Sequence, residues 1–255
     1  MLINKRIIPV LLLQNNTLHK TVKFKKPSYV GDPLNTLRIF NEKEADEIII
    51  LDISSRARIT GPNFNLLKNI SEEVFSPVAY GGGIRTVAQA EKILSLGFEK
   101  ISFCTEVHDK PSLLKQCIQE FGAQAIIAAI DLKKNILGKR YVYTNGGANR
   151  IKKNWKEYLI SVDELGVGEI LVNDISKDGT LDGYDLELFK EVSASLKTPI
   201  IASGGAKSLT DIHNLFLNTD VNAAAAGSLF VYHGRKKAVL ITYPSRKEKA
   251  KIFNV

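Results

Sequence analysis

Two groups of glycines carry the first chemical signal in this chain. Gly81, Gly82 and Gly83 follow the apolar run Pro77–Tyr80, and Gly204 and Gly205 follow Pro199–Ser203. Glycine lets backbone N–H groups come close to an anion, and a helix starting just downstream adds positive potential. Two such turns read as phosphate cradles, one for each end of an elongated substrate. The competing reading is that they only make tight strand-to-helix turns. Asp178-Gly179-Thr180 and Gly227-Ser228 are further candidates, the second pair closing the last apolar run. Lys20, Lys23, Lys25 and Lys26 lie in a segment from Gln14 to Asp32 with little regular pattern. Loops of that length in a compact domain usually serve as lids. Its lysines could reach an anion across a mouth, or simply be solvated.

The elements that must hold these residues alternate along the whole length. β-branched runs are expected as strands over Arg6–Leu13, Glu47–Ile53, Val78–Gly81, Lys100–Cys104, Ala125–Asp131, Glu169–Asp174, Ile200–Ser203 and Ala223–Gly227. Runs such as IIILDI and IIAAID are apolar throughout, as strands covered on both faces are. Helical patterns fill the intervals. Asp32-Pro33 supplies a cap and a first helical position, Thr86 a second cap, and Trp155, Tyr158, Leu159, Val162 and Leu165 recur at helical spacing. An internal repeat adds weight: EADEIIILDIS matches GVGEILVNDIS, and SPVAYGGGI matches TPIIASGGA. Glu47 pairs with Glu169, Asp52 with Asp174, Pro77 with Pro199 and Gly82 with Gly204, each 122 residues apart. Two matched halves of four strands predict one α/β domain over residues 1–255: a single (β/α)₈ TIM barrel with a two-fold half-barrel repeat, its chemistry at the C-terminal ends of the strands.

Composition narrows the function. At 44% hydrophobic and 24% charged residues the chain has the balance of a soluble protein, and no apolar run approaches the roughly 20 residues that span a bilayer. The opening MLINKRIIPVLLL lacks a cleavage site of small residues and reads as a buried strand. Cys104 and Cys117 share no metal spacing and suggest no disulfide framework. A cytoplasmic protein with no metal and no cofactor is expected. The net charge of +8 and pI near 9.3 raise nucleic acid as a partner. The basic stretches near residue 20 and from Arg235 to Lys251 carry no aromatic interleaving, so neither nucleic acid nor membrane is expected, and the tail reads as a solvated surface.

The motifs KRIIPVLL, GDPLNTLRIFNEKEADEIIILDIS, AYGGGIRTVAQAEKIL, AIDLKK, GEILVNDISKDGTLDGYDLEL and IASGGAKSL resemble the cyclase subunit of imidazole glycerol phosphate synthase. The resemblance runs over nearly the whole chain and weakens after about Tyr232. It implies a glutamine-dependent lyase complex in which a separate glutaminase subunit makes ammonia and the barrel carries it to its C-terminal face. By position it makes Gly82, Gly83, Gly204, Gly205, Asp178, Gly179, Thr180 and Ser228, with Gly227 before it, the phosphate grips, and Lys20 the lysine of a mobile loop. Asp131 matches one of two catalytic aspartates. A carboxylate ending an apolar strand could serve as general acid or base; its other reading is a solvated or helix-capping aspartate.

The second aspartate belongs in the first strand, where this chain has Leu12. Leucine can neither take nor give a proton. Cys104 stands where the family has asparagine. Arg6, Glu47, Lys100 and Glu169 match a charged ring that the family uses as an ammonia gate, or else form a structural salt-bridge plug. The divergence resembles a branch linked to surface-polysaccharide (lipopolysaccharide) clusters, including the ending AVLITYPSR. There such barrels accompany a glutaminase, as a heterodimer, and a sugar amidotransferase that turns acetamido into acetamidino groups. A genuine cyclase of histidine biosynthesis and a phosphorylated-sugar isomerase are the competing readings; a phosphorylated small molecule or phosphate is the expected ligand.

Overall fold

The computed structural model describes residues 5–234 and 236–253; Met1–Asn4 of the opening run and Arg235 at the head of the basic tail lie outside them. Eight parallel strands form the barrel, numbered here β1 (Arg6–Gln14), β2 (Ile48–Asp52), β3 (Val78–Gly81), β4 (Lys100–Phe103), β5 (Ile126–Lys134), β6 (Glu169–Asp174), β7 (Ile200–Ser203) and β8 (Ala223–Ala226). Each pairs with the next, and β8 returns to β1 with Arg6 opposite Ala223, so the sheet has no free edge. The expected (β/α)₈ barrel is the observed one; β3, β6 and β7 have the expected bounds, and the ends of the other five strands shift by one to three residues.

Strand alternation divides the apolar residues into two cores. Ile8, Val10, Ile49, Ala129, Leu171 and Ile201 point into the barrel, while Ile7, Leu11, Ile50, Ile130 and Ile170 face the helices. Helices start where the caps were read: Asp32 accepts from the Asn35 amide, Thr86 from that of Gln89. Ser208, 122 residues after Thr86, caps its helix in a reciprocal box with Asp211. The repeat survives in the strands. Ala79 pairs with Lys100 as Ile201 pairs with Ala223, so the second half is one residue longer by β8.

Two expectations are corrected. The Gln14–Asp32 segment is a β-hairpin, Thr17–Val22 against Lys25–Gly31, extending β1 above the barrel. Asn15 and Asn16 take positive φ (51° and 68°) at its first turn, the conformation two-residue hairpin turns demand and asparagine tolerates. β5 also runs past Asp131 to Lys134 and returns as a second hairpin strand, Arg140–Thr144. Both hairpins are stabilised by cross-strand pairing beyond the sheet, which the local sequence disguises with lysines.

The C-terminal segment is pinned to the barrel's N-terminal end. The Tyr243 hydroxyl donates to the Ile7 carbonyl (2.8 Å) and accepts from the Asp46 amide (3.0 Å), and Lys249 pairs with Asp46 at 2.6 Å. Tyr243→Phe leaves two buried backbone groups unsatisfied, at an expected cost of about 1–3 kcal/mol. A urea titration should show the midpoint falling with the slope unchanged.

Candidate functional site

A cavity of about 460 Å³ opens at the C-terminal end of the barrel. Asp131, on β5, is its most constrained titratable group. It is buried, its two oxygens accepting from Asn173 Nδ2 (2.9 Å) and from the Cys104 thiol (3.3 Å). Burial pushes its carboxyl up to about 6, against the pull of those two donors. A group with that value exchanges protons near neutral pH, as a general acid or base must. Burial and the neighbouring Asp131 charge push the Cys104 thiol well above its ordinary value, so it serves here as a neutral donor and not as a thiolate.

Leu12 lines the same cavity and packs on the interior core with Leu51 and Cys104. It brings no polar atom to the mouth. Two other carboxylates there are engaged by neighbouring donors. Asp52 accepts from the Ser54 amide and hydroxyl (2.9 and 2.6 Å), bracing the β2 loop. Asp178 accepts from the Thr21 hydroxyl (2.8 Å) and the Phe24 amide (3.1 Å), fastening the first hairpin over the mouth. Glu106, which the sequence reading missed, lines the cavity from the helix Thr105–Asp109, and burial raises its carboxyl.

The two glycine turns have matching geometry. Gly82 (φ 126°) and Gly204 (φ 110°) sit where a Cβ would lie 2.5 Å from the Asp52 carbonyl and 2.7 Å from that of Asp174. The close approach to the preceding strand demands glycine on its own, so the tight-turn reading has a physical cause at both positions. Gly83, Gly179, Gly205, Gly227 and Ser228 also line the cavity. Thr180 does not: its amide and hydroxyl both bond to the Lys177 carbonyl (3.1 and 2.9 Å), closing its own turn.

Lys20 reaches into the mouth from the first hairpin. It is buried, donates to the Val10 carbonyl, and occupies the space a side chain at residue 227 would need. Burial lowers its ammonium to about 8, against the attraction of Asp178. Cys104 and Gly227 take equivalent places before the short helices Thr105–Asp109 and Ser228–Val231, with φ/ψ of −120°/−71° and −108°/−71°. Thr105 is therefore the counterpart of Ser228, a match hidden in the sequence by the one-residue lengthening. Its hydroxyl accepts from the Asn145 amide (3.1 Å) of the second hairpin.

At the opposite end four charges close a ring. Arg6 bonds to Glu47 and to Glu169, and Lys100 bonds to Glu47 (3.0 Å) and to Glu169 (2.7 Å). Glu47 is 3% exposed. Burial raises its carboxyl despite Lys100 and Arg6; the Arg6 guanidinium is held above its ordinary value, Glu169 and Glu47 outweighing the cost of its burial. Each charge has two opposite neighbours, the arrangement that makes burial of ions tolerable.

Residues 6–237 match a family model described as histidine biosynthesis protein. The chain belongs to that family. It is 45% identical over 243 residues to the imidazole glycerol phosphate synthase subunit hisF2 of Pseudomonas aeruginosa, covering 95% of this chain and 97% of that one. It is 44% identical over 253 residues to the subunit HisF of Leptospira borgpetersenii, covering 99% and 100%. Both relatives carry those names provisionally. Subunit HisF of Alkaliphilus metalliredigens is 38% identical over 232 residues, 91% of this chain and 92% of that one. The chain is thus a HisF-type barrel; Asp131, Leu12 and Cys104 line its mouth, and the four-charge ring lies at the opposite end. Among the described residues no helix is long and apolar enough to cross a membrane.

The Asp131 environment has a measurable signature. Its folded pKa of about 6 exceeds the unfolded value of about 3.9, so the native state binds the proton more tightly. The stability this confers is complete below the unfolded value and is lost as pH rises through about 6. The two-unit shift corresponds to roughly 3 kcal/mol. Asp131→Asn should therefore gain in melting temperature relative to wild type as pH rises from about 4 to about 6, and the difference should level off above that. A difference independent of pH would show that Asp131 does not titrate there.

Proposed function

We propose that this barrel is the ammonia-handling subunit of a glutamine-dependent amidotransferase complex, bound as a heterodimer to a glutaminase at its N-terminal face. The observation that carries the reading is the contrast between its two ends: a complete four-charge ring below, and an apolar Leu12 lining the same mouth as Asp131 above. An ammonia molecule entering from below must part at least one pair of the ring. Lys100 is suited to move, since its ammonium sits on a flexible four-carbon stem whereas Arg6 forks rigidly between two carboxylates. Beyond the ring the interior is lined by apolar side chains such as Ile8, Ile49, Ala79 and Leu171, and ammonia would pass between them without its proton.

At the mouth, cyclisation would need two proton-transfer partners, and Leu12 removes one. The nitrogen is passed instead to an acceptor reaction; our reading is acetamidino-sugar formation for a surface polysaccharide, by a sugar amidotransferase. Gly82, Gly83, Gly204, Gly205, Gly227, Ser228 and Lys20 would hold a phosphate or a phosphorylated small molecule at the same mouth. Asp178 and Thr180 contribute there by shaping the loop, since their side chains are engaged within the protein. The site works in the cytoplasm.

A genuine cyclase remains the second reading, because Glu106 brings another carboxylate to the cavity that holds Asp131. Complementation separates the two. General acid–base catalysis contributes about 10²- to 10⁴-fold, so at normal expression the chain should fail to rescue a histidine auxotroph lacking its own cyclase. Rescue, abolished by Glu106→Gln, would favour the second reading.

The gate is tested with Lys100→Leu. Loss of one partner from a buried ring costs about 3–5 kcal/mol, so folding and glutaminase binding are confirmed first. Product per glutamine hydrolysed should then fall, while product from added ammonium salt stays at the wild-type level. Both yields at their wild-type values in a folded, docked variant would make the ring a plug.

A further inference from the structure

The basic charge of this protein is concentrated in one stretch of chain, the second hairpin and the connection that follows it into the helix Trp155–Asp163. Between Asp131 and Glu157 the chain has eight basic residues and no acidic one, equal to its whole net charge of +8. The rest of the chain is electrically balanced. Arg140 pairs with Asp185 and Lys156 with Glu191. The other six, Lys133, Lys134, Lys139, Arg150, Lys152 and Lys153, have no ion-pair partner among the described residues. Within this collar stand two of the most exposed apolar side chains, Ile136 (102%) and Leu137 (86%), at the tip of the second hairpin.

That tip is built, not frayed. Asn135 Oδ1 accepts from the amides of Leu137 (3.0 Å) and Lys139 (2.9 Å), and the Asn135 amide donates to the Lys139 carbonyl (2.9 Å). The stem is a regular ladder from Asp131 opposite Tyr143 to Lys134 opposite Arg140, and Arg150 stacks over Tyr141 at 3.6 Å. A turn ordered in this way presents its two apolar side chains at little further entropy cost on binding. Its place is equally specific. β5 carries Asp131 at the cavity, runs outward to the tip, and returns to Asn145 and Gly146 at the rim.

We propose that the tip of this hairpin, Ile136 and Leu137 in their basic collar, docks the enzyme that consumes the ammonia, which presents an acidic face with an apolar recess. The inference rests on the conduit reading above. A barrel that does not consume ammonia releases it at its mouth, where solvent dilutes and protonates it unless a second active site is sealed against the rim. A surface beside the mouth with one sign of charge and a central apolar anchor suits a protein partner, because charge steers and aligns the approach while buried apolar anchors hold the complex. A polynucleotide would use the collar but not the anchor. A lipid surface could take both, but it would not close the mouth.

The test uses the full chain bound to its glutaminase, together with the amidotransferase that forms the acetamidino group. The variants are I136S/L137S and K134E/K139E, both at exposed positions, with folding checked by melting temperature and by retained activation of the glutaminase. In sedimentation velocity both variants should bind the amidotransferase at least tenfold more weakly. Wild-type binding should weaken as salt shortens the screening length from about 10 Å at 0.1 M to about 3 Å at 1 M. Glutamine-driven product should fall by a similar factor, with ammonium-driven product unchanged. Wild-type binding and wild-type channelling in both variants overturn the proposal. So does binding of the chain to phosphatidylglycerol vesicles that I136S/L137S abolishes while the amidotransferase still binds. A glutaminase that the wild-type barrel neither binds nor activates would overturn the conduit reading instead, and the binding measurement would still judge the hairpin.

Discussion

A parallel sheet can close on itself only when alternate side chains fill its interior and the others meet the helices outside. Here closure is made by β8 returning to β1, and it brings strands distant in sequence around one axis. Arg6, Glu47, Lys100 and Glu169 meet at one end for that reason alone; Lys20, Cys104, Asp131 and Gly227 meet at the other. The interior is filled by branched residues from alternate strand positions together with alanines at 79, 129, 223 and 225. Both ends of the barrel therefore inherit a low-polarity surround, and burial moves the titration of Glu47 at one end and of Lys20, Cys104 and Asp131 at the other.

That surround acts differently at the two ends. Below, each charge in the ring has two opposite neighbours; attraction prevails over burial at Arg6, while burial still raises the Glu47 carboxyl. Above, Asp131 has hydrogen-bond donors but no cation in contact, so burial wins and its carboxyl titrates near neutrality. Cys104 is drawn into the same arrangement as a neutral donor. Leu12 adds to the apolar lining of the mouth and brings no titratable group. The result is a mouth with one strongly poised carboxylate, and the functional reading follows from that asymmetry.

The hairpins are additions to the barrel, and they are held to it by specific contacts. Asp178 fastens the first, Asn145 and Thr105 the second, and Phe24 lies within contact distance of the space above Gly147, so the two approach each other over the cavity. Glycine at 227 leaves the room that Lys20 occupies. These contacts make the mouth a lined chamber and not an open bowl, and they leave the tip at Ile136 and Leu137 projecting.

Much of this was legible in the sequence because it depends on local pattern. Apolar runs, capping residues at 32 and 86, and a 122-residue repeat dictate eight strand–helix units, and the repeat places Gly82 and Gly204 in equivalent turns before any coordinates are known. The departure at Leu12 is equally plain, since losing a titratable group needs no geometry to recognise. Tertiary structure decided the rest. Whether Arg6, Glu47, Lys100 and Glu169 point inward and pair depends on strand tilt and closure, which no local window contains. The hairpins were missed because their lysines hide alternation that is stabilised only by pairing across the turn. One extra residue in the second half-barrel hid Thr105 as the counterpart of Ser228, and Glu106 reaches the cavity only through the short helix Thr105–Asp109 that follows β4. The value near 6 at Asp131 arises from burial and two donors contributed by neighbouring strands, a property of the assembled barrel and not of its sequence neighbours.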